Sequence, residues 1–340
     1  MRTLWVGLSS LLLVACGDDS LDDGNPVSGG GGSAALGGNA PSTGGSAAGG
    51  APPEGGSAMG GAAPACDGEQ GGATTTSFTA GGSRPVEVTV PSGYDAATPA
   101  PLMILLHGYT ASGDAQEAYF QLAPLAEEKG IVYARPDGNV DAGGNRFWNA
   151  SDACCDFGNT GVDDSAYLRC LIEEIEGRVN IDPKRIYFVG HSNGAFMSYR
   201  MACDHADKIA AFASLAGAMP LDTSVCNPSE PVSALQIHGT LDGTIAYQGG
   251  TTVSEFPSAA VSIGFWAEHD GCDATPVDDT TMLDLDAAVL GNETTVSVFP
   301  ACEAGLDVEL WTLTGSGHIP GVTDGFRNGV VDWLLAHPKP

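Results

Sequence analysis

The sequence predicts an α/β domain in which a mostly parallel sheet carries helices on both faces. Three observations predict it. Short apolar runs alternate with stretches of helical spacing from residue 84 to 336, and a G-x-S-x-G pentapeptide falls where one strand passes into a helix. Residues 17–65 have a composition that builds no core, which leaves 66–340 as a single domain.

The chain begins with Arg2 ahead of a largely apolar run over 4–14, which ends in Leu13-Val14-Ala15-Cys16. This run is too short to cross a bilayer, and 1–16 reads as a secretory signal. Its last four residues resemble a bacterial lipobox, which implies that Cys16 is acylated and heads the mature chain. The stretch 24–65 has no aromatic residue and one charge, Glu54, and is otherwise mostly Gly, Ala, Ser and Pro. It cannot bury enough surface to offset its ordering entropy, so 17–65 is expected to be a flexible tether.

The whole chain carries a formal charge of −29, and 66–340 alone, without five of the acids and Arg2, carries about −25. That balance argues against nucleic acid or other anionic polymers as ligands and suits a soluble extracellular surface. Beyond Cys16 stand cysteines 66, 154, 155, 170, 203, 226, 272 and 302, an even set that reads as disulfides in an exported chain. No CxxC meets a second CxxC or an HxxxH, so no zinc site is expected.

Residues 84–90 alternate, with Val86, Val88 and Val90 on one face, and stop at Pro91-Ser92-Gly93, as an edge or antiparallel strand does. Residues 102–106 are continuously apolar, the mark of a strand buried on both faces. One helix is expected over 114–129, with Phe120, Leu122, Leu125 and Ala126 on its apolar side, and a short strand over 131–134. After a loop rich in Gly and Asn, 162–178 has helical spacing through Leu168, Leu171, Ile172 and Ile175. Residues 186–189 form the next strand, and the helix over 195–203 follows at once. Strands over 209–215 and 232–237, a helix over 258–269, a strand over 308–313 and an amphipathic helix over 324–336 complete the alternation.

In Gly190-His191-Ser192-Asn193-Gly194 the position carries more meaning than the pattern. At a strand-to-helix junction the chain turns so sharply that a side chain at 190 or 194 would clash, while the serine hydroxyl is pushed clear of the sheet edge. Ser192 is therefore the expected nucleophile. A serine hydroxyl needs a base, and the base an orienting acid; in this arrangement they follow the serine as acid, then histidine.

The later histidines are His205, His238, His269, His318 and His337. His205 and His269 fall on expected helices and His337 in the tail, whereas His318 lies in the loop Gly315-Ser316-Gly317-His318-Ile319-Pro320 directly after the late strand. His318 is the expected base. Asp242, four residues beyond His238 at the end of another late strand, is the expected acid; its rivals Asp222 and Asp273 do not directly follow a strand. Two backbone amides should hold the oxyanion, that of Asn193 and that of Tyr109 in His107-Gly108-Tyr109-Thr110. His107 is expected to be structural in that loop. Trp148 is a candidate to line an acyl or aromatic pocket, with core packing as its alternative.

The blocks PLMILLHGYTAS, RFWNASDACCDFG, GVDDSAYL, RIYFVGHSNGAFMSYRMAC, HGTLDGTIAY and GSGHIPG, in order from about residue 84 to the C-terminus, resemble the secreted polyhydroxybutyrate depolymerases and feruloyl or acetylxylan esterases. The resemblance implies the α/β-hydrolase fold, no metal or organic cofactor, and hydrolysis of a carboxylic ester through an acyl-enzyme. It carries the same triad, Ser192, Asp242 and His318. It also implies the pairs Cys203–Cys226 and Cys272–Cys302, and Cys170 with Cys154 or Cys155, leaving the other for Cys66. Related loops often read Gly-His-Thr-Trp-Pro-Gly where this chain has Gly317-His318-Ile319-Pro320-Gly321, so an aromatic beside the base is missing.

The expectation is thus an exported serine esterase, a monomer that meets the membrane only through a lipid anchor and binds no nucleic acid. A serine peptidase of the prolyl-oligopeptidase kind shares the triad order but needs an accessory domain that the tether cannot supply. A non-catalytic surface lipoprotein would need a broken triad, and none of the three positions is broken.

Overall fold

A computed structural model describes residues 76–303 and 305–340. The chain opens with β1 (Ser77–Ala80) and β2 (Val86–Thr89), followed by β3 (Ala100–Leu106), every residue of which is buried. Helices α1 (Gly113–Phe120) and α2 (Ala123–Lys129) lead to β4 (Val132–Ala134), and β5 (Asn139–Val140) pairs with β6 (Arg146–Phe147) as a separate ribbon. Helix α3 (Asp164–Glu176), β7 (Ile181–His191), α4 (Asn193–Asp204), β8 (Ala211–Leu215) and β9 (Ser233–Gly239) come next. A second ribbon, β10 (Gly250–Thr251) with β11 (Glu255–Phe256), precedes α5 (Ala259–His269). The last elements are β12 (Val277–Asp278), β13 (Thr294–Val298), β14 (Val308–Leu313) and α6 (Asp324–Ala336).

The main sheet runs β1-β2-β4-β3-β7-β8-β9-β14-β13-β12. Its six central strands, β4 to β14 in that order, are parallel, and antiparallel pairs close both edges. Alternate residues of each strand feed two separate cores. Leu102, Ile104, Phe188 and Phe212 pack under α3, α4 and α5, whereas Met103, Leu105, Tyr187 and Leu235 pack under α1, α2 and α6. Full burial of side chains such as Ile104 stabilises the fold by roughly 1.5–3 kcal/mol each. Because the central strands run the same way, all their carboxyl ends lie on one rim, where loops of an open α/β sheet gather ligands.

Two expectations need correction. The single helix over 114–129 is two, broken at Gln121, whose φ of 56° closes α1 in the left-handed region. Phe120 and Leu122 are both fully enclosed. In one helix they would point about 200° apart; the break turns both inward.

The disulfides Cys203–Cys226 and Cys272–Cys302 are those the resemblance implies, but Cys154 and Cys155 bond each other rather than Cys170. Asp164 is the α3 residue that touches the cysteine loop, through Asn149. Cys170 lies six positions further along, about 240° around the helix, and so on a different side of it from Asp164. Cys170 is itself a disulfide cysteine. Cys66, like the signal, lipobox and tether, lies outside the described residues.

Candidate active site

At the end of β7 the backbone turns into α4 through Ser192, which has φ 54° and ψ −120°. Such a conformation in a non-glycine residue costs on the order of 1–3 kcal/mol and persists only where its surroundings enforce it. The neighbours enforce it by contact. A Cβ at Gly190 would stand 2.6 Å from the Ala195 nitrogen, and one at Gly194 2.8 Å from the His107 carbonyl oxygen. The Ser192 N–H donates to the Leu215 carbonyl at 2.9 Å, which ties the elbow to β8.

The loops after β9 and β14 bring Asp242 and His318 to the same place. The Ser192 hydroxyl donates to His318 Nε2 at 2.9 Å, and His318 Nδ1–H donates to Asp242 Oδ2 at 2.8 Å. These bonds span 126 and 76 positions of sequence. The other carboxylate oxygen, Oδ1, accepts from the Thr244 and Ile245 amides, each at 2.8 Å. Burial pushes the Asp242 carboxyl up, but the nearby His238 and His318 imidazoles and the Ile245 amide outweigh it and hold the group far below the usual carboxylate range. An ionised acid, an imidazole and a hydroxyl in this order can move the hydroxyl proton onto the imidazole.

The loop after β3 passes close to the serine, for a Cβ at Gly108 would lie 3.4 Å from Ser192 Cβ. Tyr109 follows directly. Among the described residues, neither the Tyr109 nor the Asn193 amide donates to a protein acceptor. His107 shapes this loop from within, as expected: its Nδ1–H donates to the Gly108 carbonyl and its Nε2 accepts from the Gly138 amide, both at 2.8 Å. Burial lowers its pKa and keeps it uncharged.

Trp148 is not at a pocket surface. Its ring is fully enclosed, and its Nε1–H donates to the His107 carbonyl at 3.1 Å, so it buttresses the loop after β3. An indole with its one donor satisfied inside the protein gains more from burial there than from facing a ligand.

Several neighbours were not singled out in the sequence. His191, the variable residue of the pentapeptide, donates from Nε2 to the His318 carbonyl at 2.9 Å, and its ring lies 5.1 Å from that of His318. The Tyr119 hydroxyl donates to the Pro320 carbonyl at 2.6 Å, and the Gly321 amide to Asp286 Oδ1 at 2.7 Å, so the base loop is held on both sides. The only sequence signal for these residues is proximity to a motif. A pocket of about 540 Å³ opens between 150–153, 220–225 and 254–255, with Arg200 and three carboxylates, Asp152, Asp222 and Glu255, in its walls, and none of Ser192, Asp242 and His318 lines it.

A largely parallel sheet with an elbow of this shape defines an α/β-hydrolase. Residues 90–269 match the sequence model of the phospholipase/carboxylesterase family, and the chain belongs to that family. Feruloyl esterase B of Piromyces equi is 32% identical over 247 residues, which make up 70% of this chain and 43% of that protein. This chain therefore spans less than half the length of that relative. The putative esterase NocK of Nocardia uniformis subsp. tsuyamanensis is 28% identical over 242 residues, 68% of this chain and 69% of that protein. Among solved structures, the acetyl xylan esterase from Aspergillus awamori covers 77% of this chain and 100% of its own at a TM-score of 0.56; at 14% identity the likeness is one of fold.

Proposed function

We propose that this protein is a serine esterase acting through an acyl-enzyme, a reading carried by one observation: the His318 imidazole bridges the Ser192 hydroxyl and the Asp242 carboxylate. Ser192 Oγ attacks the ester carbonyl carbon as His318 Nε2 takes its proton, and the Asp242 carboxylate holds the imidazole in the tautomer that leaves Nε2 free. The tetrahedral oxyanion is stabilised by the Tyr109 and Asn193 amides. Collapse breaks the bond to the alkoxy oxygen, which leaves as the alcohol with the proton from His318. Water then gives a proton to His318 and attacks the acyl carbon, releasing the carboxylic acid and restoring the Ser192 hydroxyl.

Feruloyl and acetyl esters of polysaccharide are the leading substrates, supported by the names of the relatives, and short hydroxyalkanoate polyesters come next. The same proposal sends the chain out of the cytoplasm as a monomer held by a lipid on Cys16, and the disulfides among the described residues fit an oxidising compartment.

Purified protein assayed on methyl ferulate, 4-nitrophenyl acetate, a hydroxybutyrate oligomer and an aminoacyl anilide tests the activity. Ester turnover that disappears in Ser192→Ala is expected. Equal turnover in that variant would remove Ser192 from the mechanism, and cleavage of the anilide alone would make the protein a peptidase.

A further inference from the structure

We propose that His238 is a positioning residue for the triad, held in one tautomer by a buried relay from Tyr199 and Gln236; the inference rests on the esterase reading above. The Tyr199 hydroxyl donates to Gln236 Oε1 at 2.8 Å, and Gln236 Nε2 donates both to the Gly217 carbonyl at 2.9 Å and to His238 Nδ1 at 3.1 Å. Tyr199, Gln236 and His238 are each at most 1% exposed.

The amide orientation follows from chemistry. A peptide carbonyl such as that of Gly217 only accepts, so the Gln236 NH2 must face it, and the second hydrogen of that NH2 then meets His238 Nδ1. Nδ1 is therefore the accepting nitrogen and the ring hydrogen sits on Nε2. From there it donates to the Ile245 carbonyl at 2.8 Å, with Asp242 Oδ2 3.3 Å away.

These two contacts act on one object. The Ile245 amide donates to Asp242 Oδ1 while the Ile245 carbonyl is held by His238, so a single imidazole fixes both the carboxylate and the turn that wraps it. His238 Nε2, whose hydrogen is given to the Ile245 carbonyl, also lies 3.3 Å from Oδ2, the oxygen that meets His318. The other titratable groups around this cluster are His191, whose ring is tilted against that of His318, and Tyr247, whose ring meets His238 edge-on at 5.6 Å and whose hydroxyl is bonded to Thr312. Remove the Nε2 donor, and the Ile245 turn whose amide holds Oδ1 is freed, so the carboxylate gains freedom to rotate.

The test compares His238→Leu, which removes the donor, with His238→Gln, whose amide nitrogen falls near the Nε2 position, and with Tyr199→Phe, which cuts the far end of the relay. Hydrogen bonds to charged groups are worth enough that His238→Leu should lower kcat on 4-nitrophenyl acetate by about 10- to 100-fold with KM within twofold. The acid limb of kcat/KM should move to higher pH, because the carboxylate then leans harder on His318. His238→Gln should recover most of the kcat, and Tyr199→Phe should show a smaller loss of the same kind.

A readout independent of turnover is the far-downfield proton resonance of the His318–Asp242 bond, which should broaden or shift in His238→Leu and return in His238→Gln. If folded His238→Leu keeps wild-type kcat, pH profile and resonance, or if His238→Gln is as impaired as His238→Leu, the assignment is wrong. Should His238→Leu not fold, the same readouts on His238→Gln and Tyr199→Phe decide the matter; a wild-type profile in Tyr199→Phe removes the relay. Wild-type protein without ester turnover would instead sink the esterase reading, and the resonance would still report on His238.

Discussion

Asn193 and Trp148 bond each other twice: the Trp148 amide donates to Asn193 Oδ1 at 2.7 Å, and Asn193 Nδ2 donates to the Trp148 carbonyl at 2.9 Å. Both residues are wholly buried. The side chain of the residue after Ser192 is thus spent on holding the loop beyond β6, while its backbone amide donates to no protein acceptor among the described residues. Asn193→Ala leaves a buried N–H and a buried carbonyl without partners and should destabilise the fold by about 2–3 kcal/mol in urea titration. Because the backbone amide survives the change, kcat should fall far less than in Ser192→Ala; an equal loss would mean that the amide had moved.

Asp242→Asn is the sharpest probe of the acid. An amide can present its NH2 to His318 Nδ1 and so stabilise the tautomer with hydrogen on Nε2, which cannot accept the serine proton. A fall in kcat of about 10⁴-fold is expected, as for the corresponding change in serine proteases, with little change in melting temperature. Steady-state kinetics on 4-nitrophenyl acetate give the answer, and a loss below tenfold would point to a different acid.

His191 predicts an acid sensitivity of the fold. Burial above all, then the nearness of His318, lowers its pKa from 6.5 to about 4. A histidine whose folded pKa lies below its unfolded one contributes its full stability above the unfolded value and loses it as pH falls from about 6.5 toward 4. The loss is on the order of 3 kcal/mol once pH is well below 4. Urea midpoints of the wild type should therefore drop over this window more steeply than those of His191→Asn; parallel curves would show that the imidazole is not the group responsible.

Gly190→Ala and Gly194→Ala should each abolish soluble expression or cost more than about 3 kcal/mol, since the new methyl meets backbone atoms that cannot step aside. Gly82→Ala is a control for added bulk alone: a Cβ there meets nothing within 4 Å, although its φ of 54° adds local strain. A normal melting curve for Gly194→Ala would show that the elbow relaxes.

What the sequence made legible was the part governed by local pattern. The strand over 102–106 announced itself because burial on both faces demands an unbroken apolar run, those over 232–237 and 308–313 by mostly apolar runs, and chain order then singled out Asp242 and His318. Strand β13 carries no apolar run although Thr294, Thr295 and Val296 favour extended backbone, because it is only partly buried and Thr294, Thr295 and Ser297 interrupt the pattern. The break at Gln121 left no glycine to mark it. Trp148 and His191 act through bonds to backbone carbonyls of residues distant in sequence, and His107 through one from the distant Gly138 amide; composition carries no trace of such bonds.

The positive φ of Ser192 sets durability against reactivity at one peptide unit. Glycine would occupy that conformation without steric penalty, so the inert Ser192→Gly chain should withstand heating better than the active one, by about 1 kcal/mol after allowing for its looser unfolded state. Screening a mutant library for heat resistance without an activity screen would accordingly enrich chains that had discarded the hydroxyl.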